Sequence, residues 1–242
     1  MLDTLFSLEG RTALITGGSR GIGEMIAEGY VRAGAKVYIS SRKAPDCLAT
    51  AERLSELGTC IALPADVSGA DGAQALAKQY LEHEDALDIL VNNAGAAWGA
   101  PFEEFPESGW DKVMDLNVKS PFFLTQALFG ALKAKASSER PSKVINIASI
   151  DGLSVNMMET YSYAASKSGL IHLTKRMALE LVKSNVVVTA IAPGAFASSM
   201  NKAARDHADL VSNYVLASRA GDYVVGSTLI VDGGVAHTRG GS

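Results

Sequence analysis

Strand-length apolar runs alternate with helix-length amphipathic segments along almost the whole chain, and this alternation limits the possible folds more than any other feature. The runs Thr12–Ile15, Lys36–Ser40, Cys60–Leu63, Ile89–Val91, Val144–Ala148, Val186–Ile191 and Thr228–Val231 are the expected strands. Several are nearly continuous in Val, Ile, Leu and Ala, which suits strands buried on both faces of a parallel sheet. Helices are expected near 22–33, 45–57, 71–83, 111–135, 161–183 and 202–213. A strand that runs parallel to its predecessor needs a crossover, and a right-handed helical connection supplies it. The expected fold class is α/β, a doubly wound parallel sheet. No Pro/Gly/Ser-rich linker and no repeat divides the 242 residues, so one domain spanning 1–242 is expected.

Composition narrows the partners. Hydrophobic residues make up 48% and charged residues 20%, enough for a buried core. A net charge of -4 leaves no basic footprint, so no nucleic acid is expected as a partner. No apolar run approaches the roughly 18–20 residues of a membrane span, and no membrane association is expected. The first ten residues hold an acid, Asp3, and no basic region ahead of an apolar stretch, unlike a secretion signal. Cys47 and Cys60 read as buried thiols in a cytoplasmic protein. His83, His172, His207 and His237 are scattered without ligand spacing, so no metal is expected.

The first strand runs into Thr16-Gly17-Gly18-Ser19-Arg20-Gly21-Ile22-Gly23, with a helix behind it. Glycines there allow a tight turn and close backbone approach to a pyrophosphate. The helix N-terminus offers free N–H donors and the positive end of its dipole. The second strand ends in Ser40-Ser41-Arg42-Lys43. A site that prefers NAD places a carboxylate here for the ribose 2′-hydroxyl. Ser41 stands at that position instead, beside Arg42 and Lys43, with Arg20 across in the glycine loop. Guanidinium groups bind phosphate bidentately. NADP(H) is the expected cofactor, with NAD disfavoured.

Tyr163 and Lys167 lie four residues apart, one turn along one helix face. A free phenol titrates near 10, so only about 0.1% is ionised at neutral pH. A nearby cation is expected to lower that value and make the phenol a better acid–base group. Tyr161 lacks such a partner, because residue 165 is Ala. Ser149 ends the fifth strand, where substrates of open α/β sheets bind, and its hydroxyl can bond both a substrate oxygen and the phenol.

These motifs, in this order, resemble those of the short-chain dehydrogenases/reductases; by overall likeness, not by a substrate-specific motif, the chain resembles their 3-oxoacyl reductase-like branch. The glycine spacing, Asn92-Asn93-Ala94-Gly95, Asn117, Ser149, Tyr163-x-x-x-Lys167 and Pro193-Gly194 carry the resemblance. It implies a Rossmann fold and a cofactor site made by Gly17, Ser19, Arg20, Gly21, Ile22, Gly23, Ser41 and Arg42. Further contacts are implied for Asp66 and Val67 at the adenine, for Asn93, Ala94 and Gly95, for Tyr163 and Lys167, and for Pro193 and Gly194 near the nicotinamide. It implies catalysis by Ser149, Tyr163 and Lys167, with Asn117 bending its helix and supporting a water relay.

The substrate wall is expected from Trp98, Asp151, Met157, Met158, Phe196 and Met200, with a lid around 195–215. The stretch Asp206–Gly221 is shorter than usual in the family. A deletion there would remove part of the lid and a core helix, exposing apolar surface; a lid segment missing from the sequence is the favoured alternative. The implied reaction is hydride transfer between nicotinamide and a carbonyl or secondary alcohol, with a 3-oxoacyl thioester or related ketone as substrate. Two other readings stay open: an alcohol or steroid dehydrogenase working oxidatively, and a cofactor sensor that has lost catalysis. Helices 111–135 and 161–183 are implied subunit interfaces of a homotetramer or homodimer.

Overall fold

Seven parallel strands form one sheet in the order β3-β2-β1-β4-β5-β6-β7. They are β1 (Thr12–Thr16), β2 (Lys36–Ser40), β3 (Cys60–Ala62), β4 (Ile89–Asn92), β5 (Ser142–Ile147), β6 (Val186–Pro193) and β7 (Thr228–Val231). The computed structural model describes residues 5–194, 213 and 215–232. Order reverses between β1 and β4, whose neighbours run outward in opposite directions. That reversal opens a crevice at the carboxyl ends of the strands, where ligands of such sheets bind.

The alternation of side chains along each strand builds two apolar layers. Ala13, Ile15, Val37, Ile39, Val91, Ile145 and Ile191 face one layer. It is covered by helices α1 (Gly21–Arg32) and α2 (Ala44–Ser55) through Ile26, Tyr30, Cys47 and Leu54. Leu14, Tyr38, Leu90, Val144, Val186 and Val188 face the other. There α3 (Gly69–Leu81), α5 (Ser120–Ala127), α6 (Phe129–Ala134) and α7 (Tyr161–Leu181) supply Leu76, Leu124, Leu132 and Met177. Leu216 and Ala217, in the shortened stretch, are fully buried in the first layer, so this stretch helps to close the core.

The expected helix 111–135 is broken into pieces. Helix α4 (Glu107–Met114) leads into a π-helical turn, Asp115–Lys119, then α5, with a further interruption at Leu128 before α6. Pro121 is the cause on the C-terminal side. It has no N–H to give the carbonyl of Asn117, four residues back. The ladder slips by one, so that the Ser120 N–H bonds the carbonyl of Asp115. The expected helix 202–213 lies outside the described residues, apart from Asn213.

Strand β5 also starts earlier than expected, at Ser142. A lysine rarely enters a buried strand, yet Lys143 does so with 1% of its surface exposed. Its Nζ donates to Asp222 Oδ1 at 2.6 Å. Nearby, Asp88 takes Arg11 at 3.3 Å, the Thr12 N–H at 2.9 Å and Arg140 at 3.1 Å. These charges close the amino end of the sheet, opposite the crevice. Among the described residues, no helix is long and apolar enough to cross a membrane.

Candidate active site

A cleft of about 580 Å³ lies over the carboxyl ends of the strands. At one end it is walled by the glycine loop and the end of β2, through Gly17, Ser19, Arg20, Gly21, Ile22, Ser41 and Arg42. Asp66 and Val67, which follow the edge strand β3, line that same end, Asn93, Ala94 and Gly95 after β4 line its middle, and Ser149, Tyr163, Lys167, Pro193 and Gly194 its far end. One cavity thus joins the expected phosphate-binding residues to the expected acid–base residues.

The loop is held open by bonds from behind. Thr16 Oγ1 donates to the Val91 carbonyl and accepts from the N–H groups of Asn93 and Ala94, both at 3.0 Å. Asn93 Nδ2 returns bonds to the carbonyls of Thr16, at 2.9 Å, and Gly17, at 3.1 Å. Gly17 sits at φ +66°, and a Cβ there would stand 2.8 Å from Asn93 Nδ2. Only glycine takes that conformation without strain and lets the two loops touch. Gly23 lies behind this contact and does not line the cleft.

A dinucleotide fits this donor set. The N-terminus of α1 faces the cleft with its first N–H groups unclaimed by the helix ladder. Arg20 and Arg42 stand at the same end, and no carboxylate follows β2. Asp66 is engaged locally, because Ser68 bonds its Oδ1 through both N–H and hydroxyl, at 3.0 and 2.7 Å. The Ser68 hydroxyl, with a smaller pull from Arg42, holds this carboxyl below the usual range.

At the far end, Lys167 Nζ donates to the carbonyl of Ile147 at 2.7 Å and lies 5.6 Å from the centroid of the Tyr163 ring. Burial holds its pKa down to about 8. The phenol of Tyr163 is pushed up, chiefly by burial. A hydrogen bond from Ser149 acts against that rise, and the charge of Asp151 adds to it. The expected lowering by Lys167 does not set the direction: burial dominates the phenol, and the Lys167 ammonium is turned to the Ile147 carbonyl. Ser149 Oγ accepts the Asp151 N–H at 3.2 Å and so caps the short turn Ile150–Gly152. A Cβ on Gly152 would meet the carbonyl carbon of Lys167 at 2.6 Å, so bare backbone sets the spacing between Ser149 and α7.

Asn117 is 1% exposed and stays outside the cleft. From the π-helical turn it accepts the Ala96 N–H at 2.8 Å and donates to the Ala96 carbonyl and to Ser166 Oγ, both at 2.9 Å. It therefore ties the cleft wall to the helix carrying Tyr163 and Lys167. The substrate residues are less well gathered. Trp98 packs under Lys112, whose Nζ is 5.1 Å from the indole, and neither Trp98 nor Asp151 lines the cleft. Met157 is 99% exposed and Met158 stands in solvent too. Their apolar character alone gave no direction, because the loop before α7 has no periodic face. Phe196 and Met200 lie outside the described residues.

Sequence reasoning missed a buried polar chain under the site. Asn92 Nδ2 donates to Asn146 Oδ1 at 2.8 Å, and Asn146 Nδ2 to Thr174 Oγ1 at 2.9 Å. Asparagines opposite one another on adjacent strands were a signal, since β4 and β5 pair Asn92 with Asn146. Among the described residues, no three His, Cys, Asp or Glu side chains gather as a metal site.

Residues 11–209 match the short chain dehydrogenase family. The rhamnolipids biosynthesis 3-oxoacyl-[acyl-carrier-protein] reductase of Pseudomonas aeruginosa is 45% identical over 249 aligned positions, covering 95% of this chain and 97% of that protein. The alignment is longer than the chain's 242 residues, so the relative carries residues absent here. The 2-dehydro-3-deoxy-D-gluconate 5-dehydrogenase of Escherichia coli K12 is 37% identical, covering 97% of this chain and 98% of that one. The solved Pseudomonas aeruginosa RhlG/NADP active-site complex superposes with a TM-score of 0.93 at 44% identity, covering 96% and 99% of the two chains. The chain belongs to the short chain dehydrogenase family.

Proposed function

We propose that this protein is an NADP(H)-dependent oxidoreductase that interconverts a ketone and a secondary alcohol, with a 3-oxoacyl thioester or related ketone as substrate. The observation that carries the reading is the single cleft with Arg20 and Arg42 at one end and Ser149, Tyr163 and Lys167 at the other. The names of the relatives favour reduction of an acyl thioester, and gluconate-type ketones form the second group.

When bound, the cofactor supplies the hydride. In reduction the phenol of Tyr163 gives its proton to the carbonyl oxygen, which becomes the alcohol, while Ser149 donates a hydrogen bond that orients that oxygen and stabilises its developing charge. Lys167 holds positive charge beside the phenolate left behind. Oxidation reverses each proton step. Because Tyr163 titrates high, it is a proton donor throughout the neutral range. Because Lys167 titrates near 8, its charge is present below that pH and lost above it. The kcat/KM of reduction is therefore expected to fall above about pH 8, as the charge that supports the phenolate left behind is lost; a pH profile checks this.

Arg42 and Ser41 are proposed to hold the 2′-phosphate. Arg42→Ala is expected to weaken NADPH binding by about 10–100-fold and to leave NADH binding nearly unchanged, read from nicotinamide fluorescence. Equal losses for both nucleotides would refute the 2′-phosphate assignment.

The protein is also proposed to work as a homodimer or homotetramer in the cytoplasm. An apolar groove of about 330 Å³ crosses Phe122, Phe129, Leu173, Met177 and Leu181, and the Phe122 ring is partly exposed. Burying such a patch against its own copy removes apolar surface from water. Phe122→Glu is expected to shift the species seen by light scattering toward monomer.

A further inference from the structure

We propose that Ser40 is an additional cofactor-positioning residue, whose hydroxyl donates a hydrogen bond to a ring nitrogen of the bound purine. This role rests on the dinucleotide reading above and adds to it a residue that the motif pattern passes over. Ser40 is the last residue of β2, lines the cleft and is only 1% exposed. Its Oγ is buried and has no hydrogen-bond partner among the described residues. A buried hydroxyl left unpaired is destabilising, and Ser40 is the residue bordering the cleft whose hydroxyl, among the described residues, a bound group would relieve.

The surroundings indicate what completes it. Strand alternation puts Ser40 on the face of Tyr38, not that of Val37 and Ile39, which pack in the opposite layer. Ala65 and Val67 border the same face and also line the cleft. Between them they make a narrow apolar wall, suited to a flat aromatic ring whose edge carries acceptors. The backbone of Ser40 is already engaged, since its carbonyl accepts the Gly18 N–H at 3.1 Å. The strand end is therefore fixed against the glycine loop, a rigid support for a side chain at the cleft border.

The test uses the full chain and two nucleotides that contain the purine without nicotinamide, 2′,5′-ADP and 5′-AMP, with affinities from calorimetry. Ser40→Ala is expected to weaken both by a similar factor, about 3–10-fold. It is also expected to leave the melting temperature of the nucleotide-free protein unchanged or slightly higher, because the orphaned hydroxyl is gone. Ser40→Cys keeps the volume, replaces a strong donor with a weak one, and is expected to lose affinity in the same way. Unchanged affinity for both nucleotides overturns the assignment. Loss confined to 2′,5′-ADP also overturns it, because the contact then belongs to the 2′-phosphate. A nucleotide-free melting temperature lowered by more than about 4 °C, the effect of roughly 1–2 kcal/mol in a chain of this size, overturns it in favour of a structural role. Failure of the wild-type protein to bind either nucleotide overturns the dinucleotide reading and the Ser40 role together, which distinguishes that outcome from the others.

Discussion

Replacing Tyr163 with Phe is expected to lower turnover by about 10²–10⁴-fold, the range that one positioned acid–base group supplies, while NADPH binding stays largely intact. The phenol lines the far end of the cleft beside both Ser149 and Lys167 and keeps its proton near neutrality. Phenylalanine keeps the ring beside Lys167 and removes only the hydroxyl, so packing of α7 is preserved. Lys167→Met differs in kind. It removes a cation that lines the cleft and bonds the Ile147 carbonyl, so both cofactor affinity and turnover are expected to fall. Steady-state kinetics with a fluorescence Kd separates the two effects. Retained turnover in Tyr163→Phe would end the proposed proton path.

The largest loss of stability is expected from Asp222→Ala, far from the chemistry. Lys143 is 1% exposed on β5, and burial already pushes its ammonium down in pKa. Asp222 is its ion-pair partner. Removing one member of a buried pair costs about 3–5 kcal/mol, and in a chain of this size each kcal/mol shifts Tm by about 2–4 °C. A drop of roughly 6–20 °C follows by thermal melt. Lys143→Met combined with Asp222→Leu is expected to recover most of it, because the pair itself is near break-even against apolar residues. A single variant as stable as wild type would show the pair to be ornamental. Turnover per folded molecule is expected to persist, since the pair sits at the amino end of β5 and Ser149 follows its other end.

Much of this was legible because the signals were periodic or strictly ordered. Continuous apolar runs such as Ile89–Val91 and Val186–Ile191 suited strands with both faces covered, and every expected strand recurs within about two residues. The glycine loop and the Tyr163/Lys167 pair were readable because each constrains backbone or spacing. What stayed hidden depends on contacts between distant residues. Lys143 enters a strand only because Asp222, 79 residues on, neutralises it. The bend at Asn117 was implied by the family resemblance, but its form, a π-helical turn ahead of Pro121, was hidden in a helix-length amphipathic pattern. The sign of the phenol's shift depends on burial, which spacing along one helix does not report. The methionines before α7 show the same limit from the other side: composition named an apolar wall, and geometry left Met157 in solvent.

The most direct measurement is NADPH consumption by the purified wild-type protein with acetoacetyl-CoA and longer 3-oxoacyl thioesters, set beside NADH, 5-keto-D-gluconate and simple ketones. The expected result is oxidation of NADPH, clearly faster than NADH, with a ketone from one of these groups and most strongly with the thioesters. No consumption of either nucleotide with any of them, from a protein that binds NADPH, would contradict the assignment of Ser149, Tyr163 and Lys167 as a working acid–base site and would leave a nucleotide-binding protein without this chemistry.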